Sequence, residues 1–89
     1  MFFVYILQSE VNGSFYKGAS DNVLRRLVEH NSGKEKSTAR YRPWKLVWHC
    51  EKNSRSEALI LERKLKNITS RVKTEQFIEK HARGGPGVG

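Results

Sequence analysis

The first apolar positions of the chain fall in two short segments separated by a turn signal. Residues 3–9 are rich in aromatic and β-branched side chains, and a second such segment covers 14–18. Asn12-Gly13 lies between them, which is typical of a β-hairpin. In an antiparallel pair with an even-numbered loop, partners have an odd index sum, so Tyr5 and Tyr16 are predicted to project from one face of the sheet.

A helical spacing of apolar residues follows the hairpin. Residues 22–31 are predicted to form a helix that is capped from Ser20-Asp21-Asn22. Its apolar stripe consists of Val23, Leu24, Leu27 and Val28. Arg26 and His30 are four residues apart and are therefore neighbours beside that stripe. Such a pair can form the wall of a site, although a surface arginine and a histidine near the helix C-terminus are an equally good interpretation.

Residues 46–50 predict a third strand. Strict alternation puts Leu46, Trp48 and Cys50 on one face and Val47 and His49 on the other. Cys50 is expected in the core and His49 on the strand surface.

Two further helices complete the predicted order β-β-α-β-α-α. Ser54-Arg55-Ser56-Glu57 fits a capping box for the first of them. Its buried stripe is predicted to consist of Ala58, Leu61, Leu65 and Ile68. The last helix is predicted over 71–82, with Thr69 or Ser70 as its cap and Val72, Phe77 and Ile78 available for packing.

Glu62 lies at the edge of the stripe of the first of these helices, roughly 80° from its centre by the helical period. A carboxylate in that position needs a partner. An i,i+4 salt bridge to Lys66 is the simpler interpretation, and a divalent cation shared with a phosphate is the functional one.

The composition indicates a basic single domain. The chain has 89 residues, a formal charge of +8 and a pI near 10.0, which favours a polyanionic partner over a merely solvated basic surface. Residues 1–82 are assigned to this domain and 83–89 to a disordered Gly-rich tail. A single cysteine, Cys50, excludes an intramolecular disulfide and fits the cytoplasm. The apolar N-terminus is too short for a signal peptide or a membrane span.

The segment 31–45 concentrates positive charge among aromatic residues. Its cations are Lys34, Lys36, Arg40, Arg42 and Lys45, and its aromatic residues are Tyr41 and Trp44. This composition suits phosphate binding and base stacking. The alternative is a flexible solvated loop with Trp44 in the core.

In this order and at this spacing, the motifs resemble those of the GIY-YIG nucleases, in particular the small bacterial proteins related to the N-terminal domain of the excinuclease. Val4-Tyr5-Ile6 and Tyr16-Lys17-Gly18 stand for the two signatures. The segment from Arg26 to Asn31 matches the family's Arg-Leu-x-x-His-Asn, and Ser56-Glu57-Ala58 with Glu62 matches its later helix and metal-binding glutamate.

The resemblance implies an α+β fold with a three-stranded antiparallel sheet flanked by helices. It also implies a cytoplasmic endonuclease that hydrolyses DNA with Mg²⁺ or Mn²⁺, is structure-specific and is linked to DNA repair. The implied catalytic residues are Tyr5, Tyr16, Arg26, His30 and Glu62, with Glu62 as the metal ligand.

Arg26 would hold a phosphate oxygen, while the general base stays open among Tyr5, Tyr16 and His30. Lys17 joins the five cations of 31–45 as a nucleic-acid-binding residue. RNA as a substrate and a protein partner that supplies specificity stay open.

Two other functions fit the same residues. A non-catalytic nucleic-acid-binding module would use the same basic surface, but it would need neither Glu62 nor a divalent ion. An interaction domain for an acidic protein would show no preference for nucleic acid at equal charge density.

Overall fold

The computed structural model describes residues 1–83, which form an α+β fold. In chain order the elements are β1 (Phe2–Ser9), β2 (Phe15–Ser20), α1 (Val23–Ser32), α2 (Lys36–Ala39), β3 (Trp44–Lys52), α3 (Arg55–Lys66) and α4 (Arg71–Arg83). The predicted order is confirmed, with the short helix α2 added inside the basic segment. Apart from Arg83, which ends α4, the predicted Gly-rich tail lies outside the described residues.

The sheet has the strand order β2-β1-β3, and both pairs are antiparallel. Tyr5 pairs with Gly18 and Leu7 with Tyr16, so every pair between β1 and β2 has an odd index sum. Tyr16 is therefore two residues from the partner of Tyr5. The prediction that Tyr5 and Tyr16 share a face is confirmed.

A β-bulge interrupts the pairing of β1 with β3. Ile6 pairs with Trp48, but the next residue, Leu7, pairs with Leu46, which leaves Val47 as the extra residue. The bulge reverses the alternation of the strand. Trp48 packs with Ile6 on one face, and Leu46 packs with Leu7 on the other. The prediction that Leu46 shares a face with Trp48 was wrong because strict alternation assumes an unbroken ladder.

One face of the sheet, which we call the α3 face, carries the larger apolar cluster. Val4 and Ile6 of β1 are fully buried there against Ala58 and Leu65 of α3. The predicted stripe of α3 is confirmed at these two positions. Ser54 caps the helix by accepting a hydrogen bond from the Glu57 backbone at 3.2 Å.

The helix α4 extends the same cluster. Phe77 and Ile78 pack against it as predicted, and Ser70 caps the helix by accepting a hydrogen bond from the Lys73 backbone at 3.2 Å. Val72 is exposed, however, and Thr74 is buried in its place. The weak periodicity of this helix therefore predicted its packing face only in part.

The opposite face, which we call the α1 face, buries Tyr5, Leu7 and Trp44 beneath α1. Asn22 caps α1, and Gly33 ends it with a φ of 83°, a left-handed conformation that favours glycine. Part of the predicted stripe was wrong, because Leu24 and Val28 are exposed. The residue that α1 buries completely is the polar His30.

Candidate active site

Three aromatic rings meet on the α1 face. Tyr5 comes from β1, Tyr16 from β2 and His30 from the last turn of α1. The ring centroids are 6.3 Å apart for the two tyrosines and 4.5 Å apart for Tyr16 and His30. Tyr5 is 1% exposed and His30 is 0% exposed. The structure thus brings together three of the five predicted catalytic residues in one buried cluster.

Gly18 makes room for Tyr5 in this cluster. A Cβ atom built on Gly18 would lie 2.6 Å from the Tyr5 hydroxyl oxygen and 2.7 Å from Cζ. Nonbonded carbon atoms do not approach this closely. The phenol of Tyr5 therefore reaches across β2 at the one position without a side chain, which gives the glycine a steric reason rather than a conformational one.

His30 has a different neighbour at each ring nitrogen. Nε2 is 3.5 Å from the Tyr5 hydroxyl and 3.5 Å from Nη2 of Arg26. Nδ1 is 3.0 Å from Oγ1 of Thr38. Burial lowers the pKa of His30 below its ordinary value of 6.5, and this outweighs the opposing effect of Glu35. The imidazole is therefore neutral at pH 7 and able to accept a proton.

The two candidate bases are perturbed in opposite senses. Burial raises the pKa of Tyr5 above 10.0, and nearby Arg26 offsets this only in part. A phenol with a raised pKa is a weak source of phenolate at neutral pH. The lowered pKa of His30 keeps it in the form that a base requires.

Arg26 lies beside the aromatic cluster and is held by two carboxylates. Nη1 donates to Oε1 of Glu29, one turn away on α1, and Nη2 donates to Oε2 of Glu35, which lies between α1 and α2. The other carboxylate oxygen of Glu35 is 3.8 Å from Nδ1 of His30. Arg26, as predicted from its spacing, is next to His30, and its guanidinium is paired with the protein's own anions.

Glu62 lies apart from these four residues. It belongs to α3, which packs on the face of the sheet opposite to α1. Its carboxylate forms the i,i+4 salt bridge to Lys66, at 3.2 Å. Within residues 1–83, no hydrogen bond or salt bridge joins Glu62 to Tyr5, Tyr16, Arg26 or His30.

The carboxylate of Glu62 fits one kind of metal site. Among the described residues there is no group of three or more His, Cys, Asp or Glu side chains that could enclose a metal ion. Mg²⁺ commonly keeps several waters and is bound by one or two carboxylates together with substrate phosphates. A single, partly buried carboxylate fits that type of site, and it does not fit a metal enclosed by protein ligands.

The predicted nucleic-acid-binding cations fall into two groups. Five are exposed side chains of the segment that follows α1, and none of them forms a salt bridge within the part of the chain that the structure describes. They are Lys34, Lys36, Arg40, Arg42 and Lys45. Lys17 differs because Nζ donates to the carbonyl oxygen of Ile68 at 2.6 Å, and burial lowers its pKa. Its ammonium joins β2 to the end of α3, and its contact with phosphate stays a prediction.

Trp44 belongs to the core. It is 4% exposed, and its Nε1 donates to the carbonyl oxygen of Thr38 at 2.8 Å. The alternative interpretation was therefore correct for Trp44, whose ring is not free to stack on bases. Tyr41 is partly buried, and the guanidinium of Arg40 lies 5.7 Å from its ring centroid.

Comparison with known proteins agrees with this arrangement. The family model of the GIY-YIG catalytic domain matches residues 1–76. The chain belongs to the GIY-YIG family. This membership places it in a nuclease superfamily and implies a nucleic acid as substrate.

Several UPF0213 proteins are similar to this GIY-YIG domain along most of its length. Those of Yersinia pestis strain Pestoides F and Yersinia pseudotuberculosis serotype O:3 are each 35% identical over 77 residues, which is 85% of this chain and 80% of theirs. The NMR structure of a UPF0213 protein from Bacillus halodurans has a TM-score of 0.58 and 38% identity, and the match covers 99% of this chain and 92% of that one.

The two signatures of the family have a clear structural meaning in this chain. Tyr5 and Tyr16 of the signatures are diagonal neighbours across β1 and β2, and Gly18 of the second signature accommodates the ring of the first tyrosine. Asn31, the last residue of the Arg-to-Asn segment, holds the start of β3. Its amide exchanges hydrogen bonds with the backbone of Trp44, at 2.6 and 3.0 Å.

Two residues of the site were missed from the sequence. Glu35 stands inside a cationic segment, where a lone acidic residue is the one local signal that it has a partner. Thr38 carries no signal in the hydrophobic pattern, and it is 3% exposed only because α2 folds back on the end of α1. Both depend on the path of the chain between α1 and β3.

Proposed function

We propose that this GIY-YIG protein is a divalent-metal-dependent endonuclease that hydrolyses phosphodiester bonds in DNA. One observation carries the proposal. A neutral histidine, a tyrosine hydroxyl and an arginine converge within 3.5 Å at Nε2 of His30. A base beside a cation is what hydrolysis of a phosphodiester requires of a protein, since water must lose a proton while negative charge accumulates on the phosphate.

His30 is the better supported base. It is neutral at pH 7, and its Nε2 faces the Tyr5 hydroxyl at 3.5 Å. This distance is at the outer limit for a hydrogen bond, and catalytic hydrogen bonds commonly tighten only when substrate binds. In the proposed reaction His30 receives the proton of the attacking water, directly or through Tyr5, and Tyr16 packs against its ring.

Arg26 supplies the phosphate contact. Its planar guanidinium can bind two oxygens of one phosphate, as it binds carboxylates in the free protein. Substrate binding therefore exchanges at least one carboxylate for the phosphate. The five exposed cations that follow α1 would hold the neighbouring phosphates of the strand.

Glu62 would hold Mg²⁺ or Mn²⁺. When bound, the ion contributes a positive charge that stabilises the transferring phosphate oxygens. The chain's own residues carry out the rest, since Arg26 orients the phosphate and His30 accepts the proton. Lys66 competes for the same carboxylate at 3.2 Å, so binding of the ion would release this salt bridge.

The proposal is tested by incubating the protein with supercoiled plasmid and with labelled single-stranded and branched DNA, in Mg²⁺, Mn²⁺ or EDTA. Glu62→Ala is compared with Lys66→Ala, which breaks the same salt bridge and keeps the carboxylate. We expect cleavage by the wild type and by Lys66→Ala in either metal, and no cleavage by Glu62→Ala.

Each other outcome points to a different function. Equal losses in both variants would show that the salt bridge, and not the carboxylate, is what matters. Salt-sensitive binding without cleavage of any substrate would replace the enzyme with a nucleic-acid-binding module. Branched substrates cut faster than linear ones would support a structure-specific role in DNA repair, and RNA in the same assay tests the choice of DNA.

A further inference from the structure

Thr38 is a buried polar residue that the proposed reaction does not yet use. It lies in the short helix α2, is 3% exposed, and its Oγ1 is 3.0 Å from Nδ1 of His30. The same Oγ1 is 3.3 Å from the carbonyl oxygen of Glu35. A hydroxyl has one proton to donate, and a carbonyl oxygen can only accept. The proton of Thr38 is therefore directed to Glu35, and its oxygen presents a lone pair to His30.

This arrangement determines the partner atom on His30. A lone pair on the threonine oxygen requires a donor opposite, so Nδ1 of His30 must carry the ring proton. In a neutral imidazole only one nitrogen is protonated. Nε2 then has a free lone pair on the side of the ring that faces Tyr5.

The other side of the ring leads to the same tautomer independently. Nη2 of Arg26 lies 3.5 Å from Nε2 of His30, and a guanidinium has donors but no acceptor. A protonated Nε2 would place two donors against each other. Two groups on opposite sides of the imidazole thus favour the proton on Nδ1.

Thr38 is itself held in place by the core. Its carbonyl oxygen accepts hydrogen bonds from Nε1 of Trp44 at 2.8 Å and from the backbone of Tyr41 at 3.2 Å. Trp44 in turn is joined by two hydrogen bonds to Asn31, the residue after His30. The distance between Thr38 and His30 is therefore fixed by a closed set of contacts rather than by a free loop.

We propose that Thr38 is a positioning residue that holds the proton of His30 on Nδ1 and keeps Nε2 available as the acceptor that faces Tyr5. The catalytic part of this inference rests on the proposed nuclease function, whereas the tautomer does not. The charged and titratable groups that face the imidazole are Tyr5, Tyr16, Arg26, Glu29 and Glu35.

The tautomer can be measured without any activity. Two-bond ¹H–¹⁵N correlation spectra distinguish protonated from unprotonated ring nitrogens, and His49→Gln and His81→Gln assign the three histidines. Spectra are recorded at pH 8, above the titration of His30. We expect Nδ1 of His30 to be protonated and Nε2 unprotonated in the wild type. A protonated Nε2 would overturn the proposal, whatever the protein does to DNA.

Two variants then test the role of the hydroxyl. Thr38→Val removes it with little change in shape, and Thr38→Ser keeps it. In Thr38→Val we expect a measurable fraction of protonated Nε2 and a cleavage rate reduced about 10²-fold, the low end for a general acid–base group. Thr38→Ser should restore both. Unchanged tautomer and pH–rate profile in Thr38→Val would overturn the proposal, and the wild-type and Thr38→Ser spectra decide it if Thr38→Val does not fold.

Discussion

Glu35 forms an ion pair with Arg26, and through this pair it contacts the most buried histidine of the protein. The side chains of Arg26 and Glu35 are 23% and 34% exposed, while His30 is fully buried beneath them. The carboxylate of Glu35 thus occupies the guanidinium that the proposed reaction needs for phosphate. Substrate and Glu35 should compete for Arg26.

This competition predicts the effect of Glu35→Gln. The variant loses the competing charge, and we expect it to bind DNA about five-fold more tightly, because a partly exposed ion pair is worth up to about 1 kcal/mol. Fluorescence anisotropy with a labelled oligonucleotide in EDTA measures the affinity without cleavage. Glu79→Gln, an exposed position on α4, makes the same change of charge away from the site. Equal affinities in the two variants would refute competition at Arg26.

Gly18→Ala should disturb the site more than the fold. The new methyl group would meet the Tyr5 hydroxyl at 2.6 Å and Tyr16 at 3.2 Å, so the phenol must move away from His30. Overpacking of this kind costs about 1–3 kcal/mol. We expect a lower melting temperature in thermal unfolding and a loss of cleavage that persists well below that temperature. A variant with wild-type activity would show that the position of the Tyr5 hydroxyl is unimportant.

The pH dependence of cleavage should report His30. Because the neutral imidazole is the base, the rate should rise through the pKa of His30, which lies below 6.5, and stay level at neutral pH. Glu35 raises this pKa, so Glu35→Gln should shift the acid limb to lower pH. A pH–rate profile of single-turnover cleavage measures both. An acid limb centred above pH 6.5 would exclude His30 as the base.

The same burial links His30 to stability. The pKa of His30 is lower in the folded protein than in the unfolded chain, where it is about 6.5. Below pH 6.5 the unfolded chain therefore takes up the proton first, and the free energy of unfolding falls as the pH falls toward the folded pKa. Denaturant titrations between pH 7.5 and 5 should show this loss, and His30→Gln should reduce it. An unchanged slope in that variant would assign the loss to other groups.

Short-range patterns predicted the parts of the site that depend on one or two elements. Index parity in the hairpin placed Tyr5 and Tyr16 on one face, and helical spacing placed Arg26 next to His30. The same spacing gave Glu62 its salt bridge with Lys66. Each of these relationships is set by the repeat of a strand or a helix.

The remaining parts depend on contacts that no repeat describes. Leu46 faces the α1 side because a single bulge at Val47 shifts the register. Leu24 is exposed because α1 turns His30 inward. Thr38 reaches His30 through a short helix in a segment whose polar composition predicted a loop.

Salt dependence tests the basic segment that follows α1. Its five cations are exposed and form no salt bridge within the described residues, so each is free to replace a counterion on a phosphate. About five such contacts predict that log K falls against log salt with a slope of roughly −3.5 for single-stranded and −4.5 for double-stranded DNA. Replacing Lys36 and Arg40 by Gln should reduce the magnitude of the slope by roughly 1.4 to 1.8. The matched control replaces Lys73 and Lys80 of α4 by Gln, with the same loss of charge. If both double variants change the slope equally, binding follows net charge, and the segment after α1 is not the phosphate-binding surface.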